Sequence, residues 1–484
     1  MAKPKTDRIK NYTARLVERG EDGKYRLVTE LLWGDLVHIQ KKKPGDGDEY
    51  TRVRARGVDG LVKTEELGGP SLLEFYFIDV GQGDGVLVRT PDDRHILIDG
   101  GWIRSKQPTN RNAADFVDWK FKRDYQRDSI DLDAIVASHC DADHYGGLWD
   151  LINPDEVDEL DIHQVPNVET FYHAGIGWWT NGDEGNRGLG ADDDGWIAQL
   201  LSNRKSLTAE LNGLRPQGQW AQFLACVSAL KCDVQFLGRD SKNKYMPGYA
   251  PEDSDVSIRV LAPLHEKRDG KRRMEFLQRD NSKTTNGHSI LLRVDYGRTR
   301  TLLTGDLNAA SQRRILEAYT GQRQELAADV TKGCHHGSDD VSYEFLSAIN
   351  AACTVISSGD NESHAHPRPT IVAASAQTGF TRIAEDRLVT PLVYSTEISR
   401  SYKLAKAARV DSSADGQDVS IPADEATVTF TARGEKPKKL DQAHLVTGVV
   451  YGLVNVRTDG NTILCATLNE VEREWEIETF ESRF

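Results

Sequence analysis

Four side chains that can bind metal ions lie within six residues, in the segment SHCDADHYGG at positions 138–147. They are His139, Asp141, Asp143 and His144. The apolar residues 134–137 directly before them predict a buried strand, so the four side chains would share one loop at its end. Two divalent cations about 3.5–4 Å apart can generate a hydroxide and stabilise charge on a phosphoryl or carbonyl oxygen. The segment therefore predicts a dinuclear metallohydrolase.

Three later segments carry side chains of the same kinds, each after a more or less apolar stretch. Asp306 ends the run LLTGD, the pair His335 and His336 follows residues 327–330, and His366 follows a predicted strand at 354–357. Singly, a Gly-Asp pair is usually a turn and a His-His pair is usually a surface feature. Together and in this order they are expected along one edge of a sheet, beside the 139–144 cluster.

The elements that must position these residues are predicted as strands alternating with helices. Leu73 to Val80 is a predicted strand, which the loop GQGDG joins to a second strand at Val86 to Arg89. Strand–loop–helix units recur around residues 133–153, 290–318 and 327–350. This pattern predicts an α/β (α+β) fold in which two sheets form a sandwich covered by helices.

Three further regions flank or interrupt this domain, which we place at 72–405. Residues 10–67 alternate short apolar runs with turn residues and predict a separate β module. Residues 165–280 are rich in Gly, Asp and Trp and are interpreted as a large insertion that forms one wall of the site. Residues 440–484 predict a β-rich C-terminal extension of three strands, with a hairpin turn at Asp459-Gly460.

The composition limits the classes of protein. Hydrophobic residues make up 38% of the 484 residues and charged residues 28%, as in water-soluble globular proteins. No window approaches about 18 apolar residues and no apolar signal segment occurs at the N-terminus, so a cytoplasmic enzyme without a membrane span is expected. A formal net charge of −14 argues against indiscriminate coating of nucleic acid but not against a nuclease. The six cysteines lack CxxC spacing, which argues against a disulfide framework.

Several segments together resemble the metallo-β-lactamase fold superfamily, and most closely its ComEC/Rec2-type branch. That branch is the nuclease-like domain of DNA-uptake channel proteins and of free-standing relatives. The resemblance spans about residues 73–400 apart from the insertion, and implies an αββα sandwich with the site at one edge of the two sheets. The matching segments are FIDVGQGDGVLV, ILIDGG, VASHCDADHYGG, NGHSILLRVDYG with TLLTGD, HHGS and ISSGDNESHAHPRP.

The resemblance implies a role for each matching residue. His139 and Asp141 would bind a first metal ion, and Asp143 and His144 a second. Asp306 would bridge the two metals, and His366 would be a late histidine ligand on the second metal. Asp99 would hold the metal loop without touching a cation.

Catalytic roles are implied for three positions. Asp143 would orient the attacking hydroxide, with the bridging Asp306 as the alternative. His335 or His336 would be the general acid for a leaving 3′-oxygen. Asp141 stands where most of the superfamily has histidine, which makes Mn²⁺ or Mg²⁺ credible beside Zn²⁺.

Two other histidines are candidates for substrate or metal contact. A usual third histidine of the first site has no clean match, and His288 lies nearby. His288 either contacts metal or is a hydrogen-bonding residue at a strand edge. His173, in the insertion, either reaches substrate or packs against Trp178 or Trp179.

The segments ELLWGDLVHI and YTRVRARGVDGLV, within residues 10–67, resemble bacterial SH3-like domains. The resemblance implies a small barrel of five or six strands through which protein partners dock. The alternative is an N-terminal β extension of the main domain.

These observations lead to a metal-dependent DNA nuclease with two divalent ions as the first hypothesis. By analogy alone, it would be an effector in anti-phage defence. A phosphodiesterase for a small substrate such as a cyclic nucleotide is the second hypothesis. A non-catalytic scaffold that recruits partners is the third, although the nearly complete ligand set argues against it.

Overall fold

The fold is taken from a computed structural model. It describes residues 5–107, 109–181, 186–190, 194–213, 216–240, 244–268, 270–358, 366–396, 403–406, 409–414, 417–422, 428–430, 438–440, 444–447, 452–469 and 472–484. Within these ranges no helix is both long and apolar enough to cross a lipid bilayer.

Two large sheets form the centre of the fold. The first has nine strands, parallel at one end and antiparallel at the other. In spatial order they are Asp233–Phe236, Asn167–His173, Asp131–Ala137, His95–Ile98, Val86–Arg89, Leu73–Phe77, Val454–Thr458, Thr462–Asn469 and Glu474–Glu481. The second sheet has six strands, Val256–Ala262, Leu291–Tyr296, Thr299–Leu303, Val330–Lys332, Cys353–Ile356 and Leu392–Ser395.

Alternation along the strands explains how the sheets pack. In Asp131–Ala137, Ala134 and Val136 face the second sheet, whereas Ile135 and Ala137 face the helices outside. Successive side chains of a strand point to opposite faces, so a strand buried on both sides is apolar throughout. The result is four layers, helices on either side of two stacked sheets, which confirms the predicted sandwich.

Eight α-helices are described. On the first sheet lie Ala113–Trp119, Ala142–Ile152 and Gly218–Ala229, whose apolar residues share one core cluster with it. Ala309–Ala318 and Tyr343–Ile349 share another cluster with the second sheet. The other helices are Arg204–Gly213, Asn281–Gly287 and Pro369–Thr378.

The N-terminal region forms a six-stranded antiparallel sheet with a core of its own. Its strands are Thr6–Arg8, Thr13–Arg19, Tyr25–Leu32, Leu36–Ile39, Tyr50–Ala55 and Val58–Lys63. The first strand begins before the predicted boundary at residue 10. The SH3-like assignment stays a prediction.

The segment 165–280 differs from the predicted insertion. Asn167–His173 and Asp233–Phe236 extend the first sheet as parallel strands, and Val256–Ala262 is an edge strand of the second sheet. The Gly- and Asp-rich stretches between these short strands obscure them in the sequence. Among the described residues of this segment, Trp178 and the helices at 204–213 and 218–229 lie outside the two sheets.

The three predicted C-terminal strands are present, and they complete the sandwich. Val454–Thr458 pairs antiparallel with Leu73–Phe77 and so covers what would be an exposed sheet edge. Residues 441–443 and 448–451 of the predicted extension lie outside the described ranges.

The remaining strands form small sheets. Trp196–Ile197, Lys271–Glu275 and Glu266–Arg268 make one of three strands. The two-stranded pairs are Trp179–Asn181 with Asn186–Gly188, Arg382–Ala384 with Arg387–Thr390, Lys403–Lys406 with His444–Thr447, Arg409–Ala414 with Gln417–Pro422, and Val428–Phe430 with Lys438–Leu440.

Candidate metal centre

The candidate site lies where strands of both sheets end. The strand His95–Ile98 is followed by Asp99, and Asp131–Ala137 by residues 138–141, which carry His139 and Asp141. The four side chains were expected in one loop, but Asp143 and His144 lie in the first turn of the helix Ala142–Ile152. In the second sheet, Thr299–Leu303 leads to Asp306 and Val330–Lys332 leads to the His335-His336 pair. The structure thus brings together residues that are far apart in the chain.

Three ligand atoms converge in the middle of this edge, His144 Nε2, His336 Nε2 and Asp306 Oδ2, and a fourth, Asp143 Oδ2, lies next to one of them. The two histidine nitrogens are 3.2 Å apart and lie 3.2 Å and 3.0 Å from the Asp306 oxygen, and Asp143 Oδ2 lies 3.5 Å from His336 Nε2. A tetrahedral centre with bonds of about 2.0–2.1 Å has edges of about 3.3–3.4 Å, so the separations among the three converging atoms fit one divalent ion.

The chemistry of the donor set also fits a cation. His144, His336 and Asp306 are almost completely buried, at 0%, 2% and 3% exposed. Two imidazole nitrogens that face each other beside a carboxylate satisfy one another poorly without a positive charge between them. Two further atoms at the site, Asp306 Oδ1 and His139 Nε2, are buried and make no hydrogen bond within the described residues.

His144 is held by the carboxylate of Asp99. His144 Nδ1 lies 2.8 Å from Asp99 Oδ2 in a hydrogen bond, and the other Asp99 oxygen accepts a 2.7 Å bond from the Ser138 backbone N–H. A metal-binding histidine commonly donates its second N–H to such a carboxylate, which fixes the ring orientation. This geometry agrees with the role that the resemblance implied for Asp99, which stays a proposal.

Asp84, in the loop GQGDG, was missed by sequence reasoning. Its carboxylate is 2% exposed, with Oδ1 3.2 Å from His336 Nδ1 and Oδ2 in contact with the Lys332 ammonium. Asp84, His144, Asp306 and His336 form a group whose possible ligand atoms all lie within 4.8 Å of one another. The sequence did carry a signal for Asp84, because this acid lies in a glycine-rich loop between two apolar strands at the same sheet edge.

Three site residues have left-handed backbone conformations that non-glycine residues rarely adopt. Their φ angles are 57° at Asp99, 49° at His335 and 52° at His336. Such conformations cost about 1–3 kcal/mol each and cluster at functional sites. The loops therefore hold these side chains in place at the expense of local stability.

The loops pack so closely that only glycine fits between them. A Cβ at Gly83, where φ is 118°, would lie 1.9 Å from the Asp143 carbonyl oxygen. A Cβ at Gly147 would lie 1.9 Å from the Gly100 carbonyl oxygen. The glycines of GQGDG, ILIDGG and DHYGG thus bring two loops into backbone contact with the helix Ala142–Ile152, which contains Asp143 and Gly147.

His139 and Asp141 lie beside the converging atoms. His139 Nε2 is 3.7 Å from Asp141 Oδ2, and the rings of His139 and His144 are 4.0 Å apart. Asp141 Oδ1 accepts a 3.3 Å bond from the Trp178 indole, and Oδ2 a 2.9 Å bond from Thr285. These two hydrogen bonds fix the orientation of the Asp141 carboxylate.

The ionisation of the cluster follows from its charges. Burial raises the pKa of Asp306, but His144 and His336 outweigh this and hold the pKa well below the usual range. For both histidines burial lowers the pKa, and the surrounding carboxylates, Asp306 foremost, raise it well above its ordinary value. The cluster therefore carries strong opposite charges when no metal is bound.

The pKa values of the neighbouring His139 and Asp141 shift in the opposite direction to those of the histidines and the aspartate in the cluster. Burial, and then the nearby His144, lowers the pKa of His139 to about 3. Burial, and then the charge of Asp143, raises the pKa of Asp141 to about 6. His139 is thus neutral and ready to act as a ligand.

The other predicted residues lie at different distances from the centre. His335 is partly exposed and its Nε2 lies 3.1 Å from Asn286 Nδ2 and 3.8 Å from Asp306 Oδ2. The His366 ring centroid is 6.0 Å from that of His335 and 6.4 Å from that of His336, so His366 lies beside the cluster. Residues 359–365 of the same motif lie outside the described ranges.

His288 and His173 are not part of the converging group. His288 Nε2 lies 2.8 Å from the Glu275 carbonyl oxygen, which matches the hydrogen-bonding alternative. His173 is buried at 2% exposed, its Nδ1 accepts a 3.0 Å bond from the Gly175 N–H, and burial lowers its pKa to about 3. Neither geometry points to a metal ligand.

Comparisons with known proteins agree with this architecture. Residues 78–159 match the family model of the metallo-beta-lactamase superfamily. ComE operon protein 3 of Bacillus subtilis (strain 168) is 21% identical over 310 residues, which cover 62% of this chain and 30% of that protein. The chain thus spans less than a third of the length of this curated relative.

Two solved structures are similar at low identity. Tm1679, described as a metal-dependent hydrolase of the beta-lactamase superfamily, is 14% identical, with a TM-score of 0.31 and coverage of 67% of this chain and 95% of that one. Zn²⁺-bound PqqB from Methylobacterium extorquens is 9% identical, with a TM-score of 0.24 and coverage of 53% and 71%. The four layers, the edge site and the match over residues 78–159 together show that this chain contains a metallo-beta-lactamase fold.

Proposed function

We propose that this protein is a metal-dependent hydrolase that cleaves phosphodiester bonds, with DNA as the substrate. The observation that carries the proposal is the convergence of His144 Nε2, His336 Nε2 and Asp306 Oδ2 at 3.0–3.2 Å from one another in a buried pocket. Such a donor set has no ordinary structural use, since it buries charges that must be compensated.

The residues that would hold the metal follow from the geometry. His144, His336, Asp306 and Asp143 would hold one divalent ion. Asp306 could share a second with the pair that lies next to it, His139 and Asp141. Divalent ions in such a centre supply Lewis acidity and a nucleophile at neutral pH.

Residues of the chain would donate the proton to the leaving group and position the substrate. His335 is the partly exposed histidine of the pair, with 26% of its side chain accessible. It lies at the mouth of the site beside Asn286, where an imidazole N–H can reach the oxygen that leaves. Asp141 is held by Trp178 and Thr285, and Thr285 contacts Asn286, so a chain of hydrogen bonds connects Asp141 through Thr285 and Asn286 to His335.

The choice of DNA rests on the relatives and on the sequence. The ComEC/Rec2-type resemblance of the motifs implies DNA as the substrate, and the similarity to ComE operon protein 3 agrees with that resemblance. A role in anti-phage defence and the recruitment of protein partners stay predictions of the sequence. The small cyclic nucleotides are the substrates to compare against DNA.

Cleavage assays with a matched pair of variants test the proposal. Purified protein is incubated with Mn²⁺ and with single- or double-stranded DNA, RNA or cyclic nucleotides. We expect DNA cleavage that EDTA stops and that Asp143→Ala/His144→Ala abolishes. The control is Asp158→Ala/His163→Ala, which removes the same two residue types at exposed positions and should cleave like wild type.

Three outcomes would contradict the proposal in different ways. Undiminished cleavage by Asp143→Ala/His144→Ala would show that the site is elsewhere. Cleavage of cyclic nucleotides alone would replace DNA by a small substrate. A metal content near zero in the wild type, together with no cleavage, would favour the non-catalytic scaffold.

A further inference from the structure

We infer that Asp84 and Lys332 are positioning residues, a buried ion pair that holds His336 and Asp306 in the geometry needed for metal binding. The inference rests on the proposed metal centre. It concerns two residues that lie behind the centre.

Lys332 reaches three acceptors at once. Its ammonium contacts Asp84 Oδ2, donates a 2.9 Å hydrogen bond to the Gly305 carbonyl oxygen and lies 3.7 Å from Asp306 Oδ1. Gly305 directly precedes Asp306, so Lys332 holds the backbone next to the central ligand by a hydrogen bond and attracts its Oδ1 as a charge across 3.7 Å. The other oxygen, Asp306 Oδ2, is left facing the two histidines.

Asp84 links this ammonium to His336. Its Oδ1 lies 3.2 Å from His336 Nδ1, while the opposite ring nitrogen, Nε2, faces Asp306. The Asp84 backbone is fixed as well, because its N–H donates to the Asp143 carbonyl oxygen at 3.3 Å and its carbonyl accepts from Gly101 at 2.7 Å. Asp84 therefore stands to His336 as Asp99 stands to His144.

The pair acts from the interior of the sandwich. Lys332 and Asp84 line a small cavity beneath the centre together with apolar residues of both sheets, among them Val86, Ile98 and Leu292. Both side chains are only 2–3% exposed. A group in that place does not meet substrate, so its effect must pass through His336 and Asp306.

Burial makes the pair interdependent. Removing one partner leaves the other charge buried and unpaired, which is strongly destabilising, whereas neutralising both with side chains of similar size is far better tolerated. A double variant can thus separate folding from positioning. Asp84→Asn keeps the size of the carboxylate, and Lys332→Met keeps the length of the stem.

The experiment compares Asp84→Asn, Lys332→Met and the double variant with wild type, using two readouts. Tm reports folding, and competition with a chromophoric chelator gives the Kd for Zn²⁺. We expect each single variant to lower Tm and the double variant to recover most of that loss. The double variant should still bind Zn²⁺ about 10–100-fold more weakly than wild type, the usual loss when support of a metal-binding histidine is removed.

A second buried Lys–Asp pair provides the control. Lys120 Nζ lies 2.6 Å from Asp124 Oδ2, both side chains are at most 5% exposed, and neither touches the metal centre. Lys120→Met/Asp124→Asn makes the same chemical change there and should leave the Zn²⁺ affinity unaltered.

The outcomes separate this inference from the proposed function. A double variant that binds Zn²⁺ as tightly as wild type would overturn the positioning role, and so would an equal loss in the Lys120→Met/Asp124→Asn control. If wild-type protein itself binds no divalent ion, the proposed metal centre is wrong.

Discussion

The two adjacent histidines at 335 and 336 have different surroundings. His336 is 2% exposed, and its Nε2 faces the converging ligand atoms. His335 is turned towards Asn286 and the solvent. The left-handed backbone at both residues is what allows consecutive side chains to point in these directions.

We predict that substitutions of the two histidines separate metal binding from turnover. His336→Ala should raise the Kd for Zn²⁺ at least tenfold, because it removes a metal ligand. His335→Ala should keep the metal content and lower kcat by about 10²–10⁴-fold, because it removes a general acid. Metal analysis and steady-state kinetics measure the two effects. Loss of metal in His335→Ala with normal metal in His336→Ala would reverse the assignment.

At this scale the sequence singled out the residues that lie together. The resemblance implied metal binding for Asp143, His144 and Asp306, but a general-acid role for His335 or His336, so the position of His336 beside the other ligand atoms differs from that expectation. Asp84 could not be recognised in the same way, since a carboxylate in a glycine loop is also typical of a turn. Only the pairing of both sheets shows that this loop lies against Lys332 and His336.

Glycines in two loops and in the helix Ala142–Ile152 determine how the elements meet at the site. Gly83 lies against the Asp143 carbonyl oxygen of that helix, and Gly147 of the helix lies against Gly100. The strands alone would leave the loop ends at the same edge without fixing their spacing. Close backbone approach sets that spacing, and it requires residues without a Cβ.

We predict that Gly83→Ala damages both stability and the metal centre. Its Cβ would overlap the Asp143 carbonyl oxygen, so the loop must move. The expected loss is about 2 kcal/mol or more in the free energy of unfolding, with weaker Zn²⁺ binding. Gly68→Ala is the control, because φ there is 90° and a Cβ would meet nothing within 4 Å. Equal effects of the two substitutions on Zn²⁺ affinity would argue against the role of loop contact.

The boundaries of the elements were harder to predict than the elements themselves. The strand Asn167–His173 has no uninterrupted apolar run and is followed by Gly-rich loops, so it was included in the insertion. Its place in the sheet depends on parallel pairing with Asp131–Ala137, a long-range contact that local pattern does not encode.

Across the whole molecule, buried charges join the N-terminal sheet to the first sheet of the sandwich. Arg457 Nη2, on the strand Val454–Thr458, lies 2.7 Å from Asp35 Oδ1, and Arg8 Nη1 lies 3.9 Å from Glu74 Oε1. The Trp475 indole donates a 3.0 Å bond to the Glu30 carbonyl oxygen. These contacts give the N-terminal sheet a fixed position on the domain.

We predict that Glu74 makes folding sensitive to acid. Burial raises its pKa, but Arg89 and the neighbouring Arg457 lower it more, from 4.5 to about 2. Since the pKa is lower in the folded state, its contribution of about 3 kcal/mol is complete above pH 4.5 and is lost as the pH falls towards 2. Glu74→Gln should lower Tm at pH 7 and flatten the dependence of Tm on pH between 4.5 and 2, measured by circular dichroism. An unchanged acid slope would contradict this.

The most direct test of the metal centre is anomalous diffraction from crystals grown with Mn²⁺. The proposed centre predicts a strong peak bonded to His144 Nε2, His336 Nε2 and Asp306 Oδ2, at about the 2.0–2.2 Å expected of such ligands. A second, weaker peak between His139, Asp141 and Asp306 would make the site dinuclear. A crystal with no peak among these atoms, or with its only peak elsewhere on the protein, would contradict the account.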